Sequence, residues 1–272
     1  MPDLSLTKHH GQGNDFLVLL DPDDRHELDP ATVRMLCDRH RGVGADGMLR
    51  GAPGSGGAAV TMDLRNADGG EAEMSGNGIR CLAQAVVQAG LVTGRVFVID
   101  TPAGPREVEV RPHREPGTAW VSVDMGPARV GAELDGRAPA GVVPDGGWRA
   151  RTVSMGNPHL VLLGSDLDGA DLERTGLAAQ EAYAGGINVE LVTVGPAADE
   201  LALQVWERGV GATLACGTGS CAAAAAAQAW GMVGDHVRVH SPGGIHEIGL
   251  AAGGVVLAGP VHRICRVEVS VP

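Results

Sequence analysis

The sequence predicts an α/β chain of α+β character, with two pseudo-symmetric domains, each a mostly antiparallel sheet rolled around one central helix. Three observations predict it. The chain repeats itself at about half of its 272 residues. Short β-branched or aliphatic stretches, cut by Gly, Pro and Asp turns, outnumber helical ones. Each half also holds one helix-forming run that is small and apolar on every face, which belongs inside a sheet rather than on its surface. A doubly wound parallel sheet would want more helices between its strands.

The repeat comes first because it sets the domain count. Gly13-Asn-Asp-Phe-Leu-Val-Leu-Leu matches Gly156-Asn-Pro-His-Leu-Val-Leu-Leu at six of eight positions, an offset of 143 residues. Ser75-Gly-Asn-Gly corresponds to Cys216-Gly-Thr-Gly at an offset of 141, and each precedes a helical run. Arg65 and Arg208 precede these two turns at similar range. The halves are read as 1–118 and 119–259, with the segment 260–272 pairing back onto the first half.

In chain order, strands are expected at 16–20, 59–64, 95–99, 107–110 and 120–123 in the first half. The second half adds 152–155, 160–163, 189–194, 201–206, 236–240, 245–250 and 254–258. Helices are expected at 30–40, 79–89, 172–181 and 220–230. Only seven residues are aromatic, so Ala, Val, Leu and Ile must build the core. The formal net charge of −12 argues against a phosphate-backbone partner, and no nucleic-acid binding is expected. Residues 1–8 lack the basic and apolar regions of a signal peptide, and the longest small-apolar run is far short of the roughly 20 residues a span needs, so no membrane partner is expected. Five scattered cysteines, an odd number, suit a reducing cytoplasm. No metal-ligand spacing is present, and no metal is expected.

The two glycine-rich turns carry the chemistry. In each, glycines free the backbone to turn straight into a helix, whose first N–H groups lack partners and favour an anion. A thiol heading such a turn is expected to be acidified from about 8.5. Two such helix ends meeting about a pseudo-dyad would hold one carboxylate, with residues 75 and 216 on opposite sides of an α-carbon. That is the arrangement stereoinversion needs. Each feature also has a bland alternative: Cys-Gly-Thr-Gly suits a cap over a buried, inert cysteine, and His159, after an Asn-Pro turn, suits the surface. Cys37, Cys81, Cys221 and Cys265 read as packing residues.

The segments His10-Gly-Gln-Gly-Asn-Asp-Phe, Gly42-Val-Gly-Ala-Asp-Gly, Arg65-Asn-Ala-Asp-Gly-Gly-Glu-Ala-Glu-Met-Ser-Gly-Asn-Gly-Ile-Arg-Cys, Gly156-Asn-Pro-His, Gly186-Ile-Asn-Val-Glu and Glu207-Arg-Gly-Val-Gly-Ala-Thr-Leu-Ala-Cys-Gly-Thr-Gly closely resemble diaminopimelate epimerase, in order and with spacing kept. The resemblance implies a cofactor-independent, pyridoxal-free isomerase that converts LL- to meso-diaminopimelate for lysine and peptidoglycan synthesis, commonly as a homodimer. It places the α-carboxylate at the turns Gly76-Asn77 and Gly217-Thr218. Asn14, Asn66, Asn157, Asn188 and Arg208 would hold the polar ends, with Arg208 on the distal carboxylate. His159 and Glu207 would move protons to and from the catalytic pair. Asn offers both donor and acceptor, and Arg a planar fork, so these residue types suit an amino-acid substrate.

Two positions depart from the family pattern. Ser75 stands where the first catalytic cysteine falls, while Cys216 keeps the second. Ala212 stands where glutamate is usual. A serine hydroxyl is a far weaker acid than a thiol, and a helix end worth about 1 kcal/mol does not close that gap. An engineered exchange, a natural variant using an alkoxide or relayed water, and a paralogue with altered chemistry all account for Ser75; two changes together favour natural divergence. A racemase for another amino acid and a catalytically silent amino-acid-binding paralogue are the alternative functions.

Overall fold

The computed structural model describes residues 3–72, 74–134 and 138–270. The chain forms two compact units, Met1–Asp124 with Ala258–Pro272, and Met125–Leu257. The division falls six residues after the boundary read from the sequence, because the strand begun near Trp120 runs on to Asp124. Residues 271 and 272 of the segment 260–272 lie outside the described residues.

The first unit contains β1 (Asp3–Gly11), β2 (Asn14–Leu20), α1 (Pro30–Cys37), β3 (Gly47–Pro53), β4 (Val60–Asn66), α2 (Gly76–Gln88), β5 (Val96–Asp100), β6 (Arg106–Pro112) and β7 (Thr118–Asp124). The second contains β8 (Arg129–Glu133), β9 (Arg149–Ser154), β10 (Pro158–Gly164), α3 (Leu172–Ala182), β11 (Asn188–Val194), β12 (Glu200–Glu207), β13 (Gly211–Thr213), α4 (Gly217–Ala229), β14 (His236–Ser241), β15 (Gly244–Ala251) and the start of β16 (Gly254–Ser270). From Ala258 onward β16 belongs to the first unit, where it pairs antiparallel with β1 from Asp3↔Ser270 to His10↔His262.

In the first unit the strands run β1-β2-β3-β4-β5-β6-β7-β16, and β16 returns to β1, closing the ring. Most neighbours are antiparallel; β2–β3 and β4–β5 are parallel, with α1 and α2 as their crossovers. The second unit repeats the plan as β8-β9-β10-β11-β12-β14-β15-β16, with β13 on β12. There β10–β11 and β12–β14 are the parallel pairs, with α3 and α4 between them. Each sheet rolls around its 13-residue helix, and residues 76–86 of α2 and 217–227 of α4 are buried throughout, Gln84 included. Alanine from 222 to 227 is what lets strands close over α4 from every side; a larger residue there would overpack by about 1–3 kcal/mol.

Caps set the outer helices. Asp29 accepts from the Thr32 amide at 2.8 Å and Pro30 supplies the first helical φ for α1. The helix stops at Cys37, short of the expected His40, because the Asp38 carboxylate accepts from the amides of His40 and Arg41 and turns the chain. Asp171 caps α3 through the Arg174 amide.

Four strands were not read from the sequence: β1, β3, β8 and β13. The first alternates correctly, with Leu4 and Leu6 buried and Ser5 exposed. The residues of β3 look like a loop, yet its glycines are demanded by packing: a Cβ on Gly47 would lie 2.7 Å from the Arg65 carbonyl oxygen. Cys265 corrects the reading of it as a packing residue. A register shift in β16 opposite Lys8 and His9 breaks the in/out alternation, and residues 263–266 are exposed. Among the described residues no helix is long and apolar enough to cross a membrane.

Candidate active site

Each central helix begins on a side chain that caps it. Ser75, with extended backbone, accepts from the Gly78 amide at 2.9 Å. Cys216, with the same backbone, accepts from the Gly219 amide at 3.4 Å. The sequence repeat is therefore a repeat of local geometry, and the sulfur and the hydroxyl occupy equivalent positions in their units.

Around Ser75 the first unit gathers Asn14, Gly76 and Asn77. The buried Arg80 guanidinium donates to Asn77 Oδ1 at 2.5 Å, to Gln12 Oε1 at 2.7 Å and back to the Gly76 carbonyl at 3.1 Å. Asn77 Nδ2 donates to Asn14 Oδ1 at 3.3 Å, and Asn14 Nδ2 donates to Asp46 Oδ2 at 2.8 Å. Asn66 ends β4 opposite Gly47, which itself pairs with Phe16. Gly78 sits against Ser75 and Leu49: a Cβ there would lie 3.2 Å from Ser75 Oγ and 3.4 Å from Leu49 Cδ2.

Around Cys216 the second unit gathers Asn157, His159, Glu190, Glu207, Thr213 and Thr218. His159 is fully buried, which removes the surface reading of it. Its Nδ1 lies 2.7 Å from Glu190 Oε1 and its Nε2 lies 3.0 Å from Asn157 Oδ1. Asn157 Nδ2 donates to Thr218 Oγ1 at 3.4 Å, and Thr218 Oγ1 is 3.4 Å from Cys216 Sγ. Thr213 donates to Glu207 Oε1 at 2.6 Å. A Cβ on Gly219 would lie 2.8 Å from Glu190 Oε1, so glycine is what lets that carboxylate reach the first turn of α4.

Asn188 and Arg208 lie next to each other. Asn188 Nδ2 donates to the Pro158 carbonyl and its Oδ1 accepts from the Arg208 amide at 2.9 Å, so this side chain ties down the backbone that presents Arg208. The Arg208 guanidinium donates to the Gly185 carbonyl at 3.4 Å. Ala212 is exposed on β13, paired with Trp206, and nothing in the structure explains its departure from glutamate.

Electrostatics correct one expectation. Burial, and then the carboxylates of Glu207 and Glu190, push the Cys216 thiol well above its ordinary range, against the hydrogen bonds from Thr218 and Gly219. The helix end does not acidify it in this conformation: its contribution of about 1 kcal/mol is outweighed by desolvation, which costs several kcal/mol per buried ion. Cys216 thus rests as a thiol. Burial also raises Glu207, with the hydrogen bonds from Thr213 and Cys216 pulling the other way and Glu190 adding to the rise. Thiol and carboxyl are each placed to hold a proton that the other accepts.

Glu190, Arg80, Thr213 and Gln12 all fall within the segments singled out in the sequence, but none of them carries a role there. Burial was the missing signal: Glu190 and Arg80 are charged residues that are fully buried, and a sequence does not reveal that before the sheets are closed.

The architecture is shared with solved structures of isomerases and related proteins. A phenazine biosynthesis protein from Bacillus anthracis aligns over 100% of both chains with a TM-score of 0.74 at 14% identity. A probable proline racemase from Agrobacterium radiobacter aligns over 99% of this chain and 93% of its own with a TM-score of 0.72 at 17% identity. At such identities the likeness is one of fold. The sequence is more specific: the family model described as Diaminopimelate epimerase matches residues 6–131 and 151–264. Diaminopimelate epimerases from Desulforudis audaxviator and Synechocystis are 41% and 38% identical to it, each covering 96% of this chain and 97% of its own. That of Thermobifida fusca is 39% identical, covering 98% of both. The chain belongs to the diaminopimelate epimerase family and is an isomerase of that family.

Proposed function

We propose that this protein epimerises LL-diaminopimelate to the meso isomer by two-base proton transfer without a cofactor, with Cys216 as one proton-handling group and Ser75 at the position of the other. The observation that carries the reading is the Cys216 thiol capping α4 beside Glu207 and the His159–Glu190 pair. To act as base, the thiol passes its proton to Glu207, and the resulting thiolate takes the α-hydrogen: the Cα–H bond breaks and the S–H bond forms. The carbanion takes a proton at the opposite face from the Ser75 hydroxyl; the alkoxide regains one from water, and Glu207 returns its proton to the hydroxide so formed. Proton count is unchanged overall, as epimerisation requires.

The amides of Gly76, Asn77, Gly217 and Thr218 offer donors for the α-carboxylate at helix N-termini. Asn14, Asn66 and Asn157 serve the polar ends, Arg208 the distal carboxylate, and Asn188 holds Arg208 in place. The same reading carries with it a homodimer, checked by analytical ultracentrifugation, and a cytoplasmic setting, which five free thiols support.

Proton NMR of LL- and meso-diaminopimelate in deuterated water tests the reading. Loss of the α-proton signal together with interconversion of isomers is the expected result. Exchange confined to another amino acid would replace the substrate, and binding without exchange into either isomer would make the chain a silent amino-acid-binding protein.

A further inference from the structure

We propose that Glu190 is a positioning residue for Cys216, acting through an ordered hydrogen-bond chain that ends as a donor to the sulfur. The chain runs Glu190 Oε1, His159, Asn157, Thr218 and Cys216 Sγ, with successive distances of 2.7, 3.0, 3.4 and 3.4 Å. It lies within the second unit.

Its direction follows from donor and acceptor counting. Asn157 faces Thr218 with its amide nitrogen, so its Oδ1 faces the His159 ring and takes a proton from Nε2. The Nδ1 side then shares one proton with Glu190, whichever of the two atoms carries it. Thr218 Oγ1 accepts from Asn157, which leaves its own hydrogen for Cys216 Sγ. Without the Glu190 partner, the ring is free to hold its proton on Nδ1 instead. Asn157 is then free to rotate, and the sulfur loses its hydroxyl donor. Glu190 Oε2 makes no hydrogen bond among the described residues, so the Oε1–His159 contact is the polar anchor of this buried carboxylate. The titratable groups around it are His159 on β10, Glu207 on β12 and Cys216 at the head of α4.

The role in turnover rests on the epimerase reading; the effect on the thiol does not. The test therefore compares Glu190→Leu with Glu190→Gln. Both lack the charge, but the Gln amide can donate to Nδ1 and keep the chain in order. Cys216 alkylation by iodoacetamide, resolved by peptide mass mapping across pH, is expected about tenfold slower at pH 8 in the Leu variant than in the Gln variant. Thr218→Val should slow it similarly, and Glu190→Leu added to Thr218→Val should change it less than twofold, because both break one chain. In turnover, the Leu variant should lose kcat with KM held within twofold, and the Gln variant should recover most of it. Equal alkylation of the Leu and Gln variants, or full additivity with Thr218→Val, overturns the proposal. Histidine ¹⁵N NMR of the unmodified protein needs no variant: His159 carrying its only proton on Nδ1 overturns it as well. If the unmodified protein exchanges no α-hydrogen, the epimerase reading fails while the alkylation comparison still decides the chain.

Discussion

At the head of α2, hydrogen bonds run from the buried Arg80 through Asn77 and Asn14 to Asp46; at the head of α4, they run from the Glu190–His159 pair through Asn157 and Thr218 to Cys216. The positions correspond: Asn14 with Asn157, and Asn77 with Thr218. The donor direction is reversed. Asn77 donates away from the Ser75 turn, whereas Asn157 donates toward the Cys216 turn. The strands behind them differ in kind as well. Where β10 and β11 carry His159 and Glu190, the matching places on β2 and β3 hold Phe16 and Leu49, and the end of β4 holds Asn66 where β12 ends on Glu207. Duplication kept the backbone and the cap while the polar content diverged. One helix end is equipped to store and move protons; the other is equipped to hold a fixed cationic scaffold around a hydroxyl.

Four perturbations break or sharpen this contrast, in falling order of effect. Cys216→Ala should lower α-hydrogen exchange by about 10³-fold, within the range expected for loss of a general acid–base group; exchange within tenfold of the parent would place the chemistry elsewhere. A second lies in the histidines. His9 Nδ1 bonds Gln84 Oε1 at 2.7 Å, with an amide where His159 has a carboxylate. Burial lowers His9 to about 4, so the folded state keeps it neutral while the unfolded chain binds a proton near 6.5. Its stabilising contribution is thus full above pH 6.5 and lost as pH falls toward 4, by roughly 3 kcal/mol in total. Urea unfolding across that window should show the loss, and a His9→Gln variant should show a flatter profile.

Third, Ser75→Cys should raise epimerisation at least tenfold, equivalent to about 1.4 kcal/mol of barrier, in the NMR exchange assay. An unchanged or lower rate would mean that serine is the evolved choice at this helix end. Fourth, Ser75→Ala should destabilise the protein by about 1 kcal/mol through loss of the α2 cap, read from the urea midpoint at constant slope.

Much of this was legible in residue order. The Gly13 and Gly156 segments, and the turns at Ser75 and Cys216, marked the duplication. All-round small residues marked α2 and α4 as the helices inside the sheets. What stayed hidden had specific causes. The glycines of β3 mimic a loop because close backbone approach and turn-making call for the same residue. Cys265 was misplaced because a register shift in β16 is a property of pairing with β1.

The acidity of Cys216 was misjudged for a related reason. A helix end can be read from its glycines, but desolvation is set by whatever closes over the sulfur. The sequence by itself determined the repeat, the two caps and the inventory of groups that can carry protons, because these depend on local backbone geometry and side-chain chemistry. Only the tertiary structure decided that Glu190 lies buried against His159 and that the thiol rests protonated, because both depend on β10, β11 and β12 closing around the head of α4 and taking charges away from water.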